Sequence, residues 1–325
     1  MNNYVNLALA YKSEGFTVIP VNSNKIPTIN WTKYQKEPMS DEDIKRYFKN
    51  VHGLAMLTGG KSQVECLDID LKNCNTGDLI DRLKAEVPKS IMKKMWVQRT
   101  PSGGYHWIFR CDKVEPNQKL ANRVTSAEEK HSVYIEHFNN IKTRKNALKI
   151  ASQYKSLVLL ETRGGEEDKS GGYFLVAPTK GYEKVYGKLS EISIEERDQL
   201  MTICRSFNEY SEPKKNNGTF KYGHGESNPF DDFNERGDSL SLLLDAGWTS
   251  VYENESSVRL KRPGSTHSKS SALFDKDSKI FNVFSSSTDF DTNTGYNPAS
   301  VFIKIEADDD TQLAYQKLKK LGYGG

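Results

Sequence analysis

Cysteine is scarce in this 325-residue chain: Cys66, Cys74, Cys111 and Cys204 are all it has. They form no C-x-x-C pair, and no histidine stands at finger-like spacing from any of them. A disulfide framework is therefore not expected, and neither is zinc. Long apolar runs are missing as well. Nothing approaches the roughly 20 residues that a membrane-spanning helix needs, and Met1-Asn2-Asn3-Tyr4 lacks a basic segment leading into an apolar one. Secretion and membrane insertion are not expected, and the chain reads as a cytosolic, reduced protein. A charge excess of either sign is lacking too: 46 Lys and Arg against 43 Asp and Glu leave +3, too little to mark a nucleic-acid binder by bulk electrostatics. Internal repeats and low-complexity tracts are absent.

The length favours two domains, each able to bury a core. The first part alternates helix and strand signals. Tyr4, Leu7, Ala8 and Tyr11 form a helical stripe closed by Gly15, and Phe16 to Val21 reads as a strand. Ser40-Asp41-Glu42-Asp43 and Ser193-Ile194-Glu195-Glu196 are helix-opening capping boxes, the second helix running to about Tyr210. Strands are expected at 53–57, 64–71, 95–100, 105–110, 156–163 and 172–178, with a helix around Leu79, Ile80 and Leu83. This is an α/β pattern. Residues 211–232 gather Pro, Lys, Asn and Gly and read as a linker between a domain at 1–210 and a small mixed α/β domain at 233–325. In that second domain a helix is expected near 238–246, strands at 257–261, 272–274 and 280–285, and a terminal helix through Leu313, Leu318 and Leu321.

The most informative stretch is Leu67-Asp68-Ile69-Asp70. Residues two apart on a strand share a face, so Asp68 and Asp70 are expected on one side with Cys66, and Leu67, Ile69 and Leu71 on the other. Two carboxylates brought together need a counter-charge, which a metal would supply; solvated acids at a strand end are the alternative. Upstream, Ala55 to Ser62 fits a relaxed P-loop pattern. A P-loop must open a helix, whereas Gln63 to Leu71 alternates as a strand, so the glycines are read as the tight connection into the Asp strand.

Two further segments carry chemistry. Thr100-Pro101-Ser102-Gly103-Gly104-Tyr105-His106-Trp107-Ile108-Phe109 joins two strands through a flexible turn and sets His106 opposite Tyr105, Trp107 and Phe109. A hydrogen-bonded structural histidine and a phosphate contact are both open readings. Leu157 to Gly165 brings a third acid, Glu161, with Arg163 on its face, and Gly171-Gly172-Tyr173 through Pro178 returns as a partner strand. Glu161 either pairs with Arg163 or completes a carboxylate site for Mg²⁺ or Mn²⁺. Two windows lack acids: 139–160, with Lys142, Arg144, Lys145, Lys149 and Lys155, and 256–274, with Arg259, Lys261, Arg262 and Lys269. They read either as solvated faces or as nucleic-acid contacts.

Taken in order, D-x-D, T-P-S-G-G-x-H, E-x-R-G-G and G-G-Y-x-x-x-P resemble the bifunctional primase/polymerase (prim-pol) family of the archaeo-eukaryotic primase superfamily. Upstream, Lys25, Pro27 and Trp31 are similar to its K-x-P segment and Leu57-Thr58-Gly59 to its turn before the catalytic strand, so the likeness spans roughly residues 1–205. It implies an α+β, RRM-like core in two parts with the active site between them. It further implies two divalent ions, Mg²⁺ or Mn²⁺, on Asp68, Asp70 and Glu161, with His106, Arg163, Ser102 and Lys25 at the incoming nucleotide. The chain departs from the superfamily's S-x-H in carrying Gly104-Tyr105-His106, and it holds an acidic insert, Glu166-Glu167-Asp168. Asn234 to Asp238, Gly247-Trp248-Thr249, Lys261 to Gly264, Phe284 to Thr288 and Leu321 to Gly324 are similar to the module that follows the catalytic domain in some phage and plasmid replication proteins.

The implied activity is template-directed nucleotidyl transfer: a primase/polymerase making and extending primers for a phage, plasmid or other mobile element in a bacterial or archaeal cytoplasm. Its expected partners are single-stranded DNA template, nucleoside triphosphates and a replicative helicase supplied separately. A metal-dependent nuclease is a rival that shares the carboxylates but needs no triphosphate-binding His or Arg. A replication-initiator module with a degenerate site would bind DNA equally well in EDTA.

Overall fold

A computed structural model describes residues 4–165, 171–210, 228–265, 269–292 and 294–325. The chain divides into two compact units, Met1–Leu200 and Met201–Gly325. Among the described residues no helix is long and apolar enough to cross a membrane.

In the first unit, β1 (Val18–Val21), β2 (Gly53–Leu57) and β8 (Tyr173–Val176) form a three-stranded sheet in the order β1-β2-β8. The other strands are β3 (Val64–Ile69), β4 (Trp96–Arg99), β5 (Tyr105–Arg110), β6 (Lys119–Val124), β7 (Ser156–Arg163) and β9 (Glu183–Tyr186). They form a six-stranded sheet in the order β6-β7-β3-β5-β4-β9. Every named strand pair is antiparallel. With helices α1 (Tyr4–Ser13), α2 (Asp41–Tyr47), α3 (Leu79–Glu86), α4 (Lys89–Met92), α5 (Ala127–Asn139), α6 (Ala147–Gln153) and the first part of α7 (Ile194–Arg205), which runs across the boundary at Leu200, this is a mixed α/β fold of the α+β kind, as the sequence leads one to expect.

The sheets share a core. Val18, Ile19, Leu54, Met56, Phe174 and Val176 from the smaller one pack with Val64, Cys66, Trp96 and Ile108 from the larger. Helix α2 starts where its capping box places it, with the Ser40 hydroxyl accepting from the Asp43 N–H. Helix α7 also starts at its capping box but ends at Arg205, short of Tyr210. The pair α5 and α6, between β6 and β7, is missing from the sequence reading, although Ser126-Ala127-Glu128-Glu129 is a capping box that opens α5. Helix α5 has no buried residue, so the apolar stripe that betrays a core-facing helix is missing.

In the second unit, β10 (Thr249–Glu253), β11 (Ser257–Lys261), β12 (Ala272–Asp275), β13 (Phe281–Val283) and β14 (Gly295–Tyr296) form an antiparallel meander. Its core gathers Trp248, Phe281, Phe290 and Tyr296. Helices α8 (Pro229–Arg236), α10 (Pro298–Ala307) and α11 (Thr311–Lys320) pack on one another through Phe230, Phe233, Phe302 and Leu318, while α9 (Ser239–Asp245) gives Leu243 to the sheet's core. The stretch read as a linker lies outside the described residues over 211–227, and α8 begins within its last four residues.

Candidate active site

Register brings the singled-out residues together. Glu161 on β7 stands opposite Asp68 on β3, Asp68 opposite His106 on β5, and His106 opposite Gln98 on β4. Cross-strand partners lie on one face, so these four make a polar rung across the sheet. The rung beside it on that face, Arg163, Cys66, Ile108 and Trp96, is mostly apolar, and its last three members belong to the core shared with the smaller sheet. The polar rung therefore lies one step along the strands from that core.

The glycine motifs have a packing cause. Thr58 donates its hydroxyl to the Gly164 carbonyl (2.6 Å) and accepts from the Gly172 N–H (2.9 Å), tying the turn before β3 to both Gly-Gly pairs. Gly59 takes φ +65°, and a side chain there would sit 2.7 Å from the Gly165 carbonyl oxygen; one at Gly171 would overlap the Thr58 carbonyl. Gly60–Ser62 forms a single 3-10 turn and β3 follows at once, so the P-loop pattern opens no α-helix.

One expectation changes in detail. Strand β3 ends at Ile69, and Asp70 is the first residue beyond it, at φ −90° and ψ 79°. Its N–H bonds the Leu159 carbonyl and its carboxylate pairs with Lys72 at 3.3 Å. Asp70 still acts on Asp68: burial and then the Asp70 charge push the Asp68 carboxyl up to about 6. Arg163 opposes this, lying 3.5 Å from Asp68 and also bonding Glu161. Glu161 and Arg163 thus pair, as one of the two readings required.

His106 is buried, with Nδ1 2.8 Å from the Gln98 amide nitrogen and Nε2 3.6 Å from Asp68. Burial, aided by the charges of Arg163 and Lys25, drops its pKa to about 3, so the ring is neutral near pH 7. Phe174 meets the ring edge-on at 5.5 Å and Tyr182 lies 5.8 Å away. Lys25, held at φ +66°, sits over the ring of Tyr182, 5.5 Å from its centroid, which brings it to the edge of the site. Burial, with the Asp68 charge, pushes the Tyr182 hydroxyl up to about 12.

Ser102 bonds Thr100 within the β4–β5 turn (3.1 Å), and none of its described contacts reaches the rung. Lys142, Arg144, Lys145 and Lys149 lie on the α5–α6 connection and on α6, where Arg144 packs over the Phe138 ring. Arg259, Lys261 and Arg262 belong to the second unit, and Glu166-Glu167-Asp168 lies outside the described residues. Sequence reasoning missed Gln98 and Tyr182. A buried polar residue on a strand was the one available signal for Gln98, and Tyr182 gave none.

Residues 8–196, more than half of the chain, match the family described as bifunctional DNA primase/polymerase, N-terminal. The chain belongs to that family. No curated protein matches it. Membership in the primase/polymerase family implies a nucleotidyltransferase that takes DNA template and nucleotide substrates, and the matched span contains Lys25, Asp68, Asp70, Ser102, His106, Glu161 and Arg163.

Primase/polymerases of this family typically use divalent metals. Among the described residues no group of three or more His, Cys, Asp and Glu is gathered as a ready-made metal cage. The donor chemistry nonetheless fits Mg²⁺ or Mn²⁺, which need few protein oxygens. Asp68 and Glu161 share the Arg163 guanidinium and Asp70 holds Lys72, so each carboxylate already faces a cation.

Proposed function

We propose that this protein is a template-directed primase/polymerase that starts DNA-templated primers and extends them at the Glu161–Asp68–His106 rung. The observation that carries this reading is the register itself, which sets two acids and a neutral histidine in one row on three adjacent strands. Asp68, Asp70 and Glu161 would hold the divalent ions. When bound, such ions acidify an attacking 3′-hydroxyl and neutralise a leaving pyrophosphate.

The chain's own residues do the rest. Arg163, spread over two carboxylates in the free protein, offers its guanidinium to triphosphate oxygens, for which a planar fork is well suited. Lys25 adds a second positive charge beside His106. In the free protein burial keeps the His106 ring neutral, so what it offers the nucleotide is a hydrogen bond. Template is held largely without regard to sequence, through cations and stacking aromatics.

The deciding experiment supplies labelled ribo- or deoxyribonucleotides with single-stranded template and Mg²⁺ or Mn²⁺. The full chain should yield labelled products, and Asp68→Ala/Asp70→Ala should not. Near-normal incorporation by that double variant would sink the assignment. Loss of end-labelled DNA in place of synthesis would point to a nuclease. Template binding unchanged in EDTA with no incorporation would point to a replication-initiator binding module.

A further inference from the structure

Gln98 lies wholly inside the protein, and each of its side-chain polar atoms has a partner whose hydrogen-bonding role is fixed by chemistry. The Ala177 peptide N–H can only donate, so the Gln98 atom 3.0 Å from it is the amide oxygen. The Leu175 carbonyl can only accept, so the atom 2.7 Å from it is the amide nitrogen. Two independent peptide groups of the segment around β8 thus force the same orientation on the amide. That orientation leaves the second N–H of the amide directed at His106 Nδ1, 2.8 Å away.

We propose that Gln98 is a positioning residue that dictates which nitrogen of the His106 ring carries the proton. The Leu175 carbonyl also reaches the His106 ring but already accepts from this amide; a nitrogen that accepts from an amide N–H must present its lone pair, so Nδ1 is bare and the ring proton resides on Nε2. Nε2 is the nitrogen that looks along the rung toward Asp68, 3.6 Å away. A donor is therefore presented where anionic oxygens gather, on a carboxylate now and on phosphate during reaction. The opposite tautomer would turn a lone pair toward those oxygens and repel them. This deepens the reading above and rests on it for the part that concerns nucleotide.

Gln98 also ties the larger sheet to the smaller one, since its partners Leu175 and Ala177 belong to β8 and the residues after it. A purely mechanical tie would be blind to the histidine's tautomer, and this separates the two roles. The first measurement leaves Gln98 in place: ring ¹⁵N shifts of the full chain without metal, with the His106 signals identified among six histidines by their disappearance in His106→Ala. Nε2 should be the protonated nitrogen and Nδ1 the bare one. A protonated Nδ1 overturns the proposal outright, whatever the activity assays give.

The second measurement compares Gln98→Met, which keeps the length and removes both donors, in two backgrounds. In the otherwise natural chain it should raise the nucleotide KM about tenfold or more, the scale of a lost hydrogen bond to a charged group, with a smaller change in kcat. In His106→Ala it should change the KM little. Equal KM effects in both backgrounds would reduce Gln98 to a tie between sheets. If His106→Ala leaves the KM untouched, the phosphate-contact reading fails, while the ring shifts still decide the tautomer. Should Gln98→Met not fold, those shifts alone decide the proposal.

Discussion

Glu65 and Arg197 form a two-pronged ion pair with virtually no exposure, Nε to Oε2 at 2.6 Å and Nη2 to Oε1 at 2.9 Å, on the face of β3 opposite Asp68. The strand thus carries a closed, charge-matched pair behind and an open set of acids in front. The same strand is held from α7 by an ion pair that needs no ligand.

The pair is costly to break, because removing one partner leaves the other buried and uncompensated. Arg197→Met should destabilise the first unit by about 3 to 5 kcal/mol in chemical denaturation. Replacing both partners, Glu65→Leu with Arg197→Met, should recover much of that loss, although Glu115, 3.3 Å from Arg197, is then left without this guanidinium. A double variant no more stable than Arg197→Met would mean that the pair adds more than matched charge.

How far the sequence carries is visible on this strand. Alternation placed Asp68 with Cys66 on one face, and the motif order pointed to His106 and Glu161. Glu65 escaped notice: an acid inside an apolar strand has no local signature of its partner, and Arg197 follows 132 residues later. Gln98 escaped for a related reason, since nothing in Trp96-Val97-Gln98-Arg99 says which strand lies alongside. Period-two reasoning also overran the strand's end and counted Asp70 as part of it. In the second unit the opening of α10 could have been read, for Asn297 caps it and Pro298 begins it.

Asp68 makes the metal-free fold sensitive to pH. Burial and Asp70 raise its folded pKa to about 6, above an unfolded value of about 3.9. The folded state therefore holds the proton more tightly. The stabilisation is full below about pH 4 and is lost as pH rises through about 6. In EDTA, Asp68→Asn should thus stabilise the protein by about 1 to 3 kcal/mol at neutral pH and by little at pH values near 4. Thermal melts at the two pH values check this, and a stabilisation of the same size at both would contradict it.

The turn glycines should be intolerant for steric reasons. A methyl at Gly171 runs into the Thr58 carbonyl, itself part of the turn that delivers β3, so the backbone must move. Gly171→Ala should lower both the melting temperature and nucleotide incorporation. Gly103→Ala provides the contrast: that position has open space around it but a φ of +85°, so the cost is conformational and about 1 kcal/mol. If Gly103→Ala proves the more damaging to incorporation, the close approach at Thr58 matters less than the β4–β5 turn.

His106→Ala should weaken nucleotide binding by about 1.5 to 3 kcal/mol, the range for a hydrogen bond to a charged group, and change template affinity less. Isothermal titration with nucleotide and fluorescence anisotropy with labelled template measure the two. A large fall in melting temperature with unchanged nucleotide affinity would return His106 to a structural role.

The last expectation concerns the second unit. On β11, Val258 and Leu260 are buried in the sheet's core, so Arg259 and Lys261 occupy the other face, with Arg262 just beyond the strand. Arg259 stands opposite Tyr252, which is largely exposed. Cations beside an open aromatic ring suit single-stranded nucleic acid, where bases stack and phosphates meet positive charge. A primase must hold bare template before any duplex exists, so a tethered surface of this kind raises the local concentration of template for the first bond. Once a primer is annealed, the duplex adds binding surface of its own and the tether matters less. In the full chain, the triple change Arg259→Ala/Lys261→Ala/Arg262→Ala should therefore impair starting a primer more than extending one. It should also reduce the salt dependence of template binding by about two in the log–log slope, at about 0.7 for each single-strand phosphate that is no longer neutralised. Initiation and extension that fall together, or a salt slope that does not move, would leave this face of β11 as solvated surface.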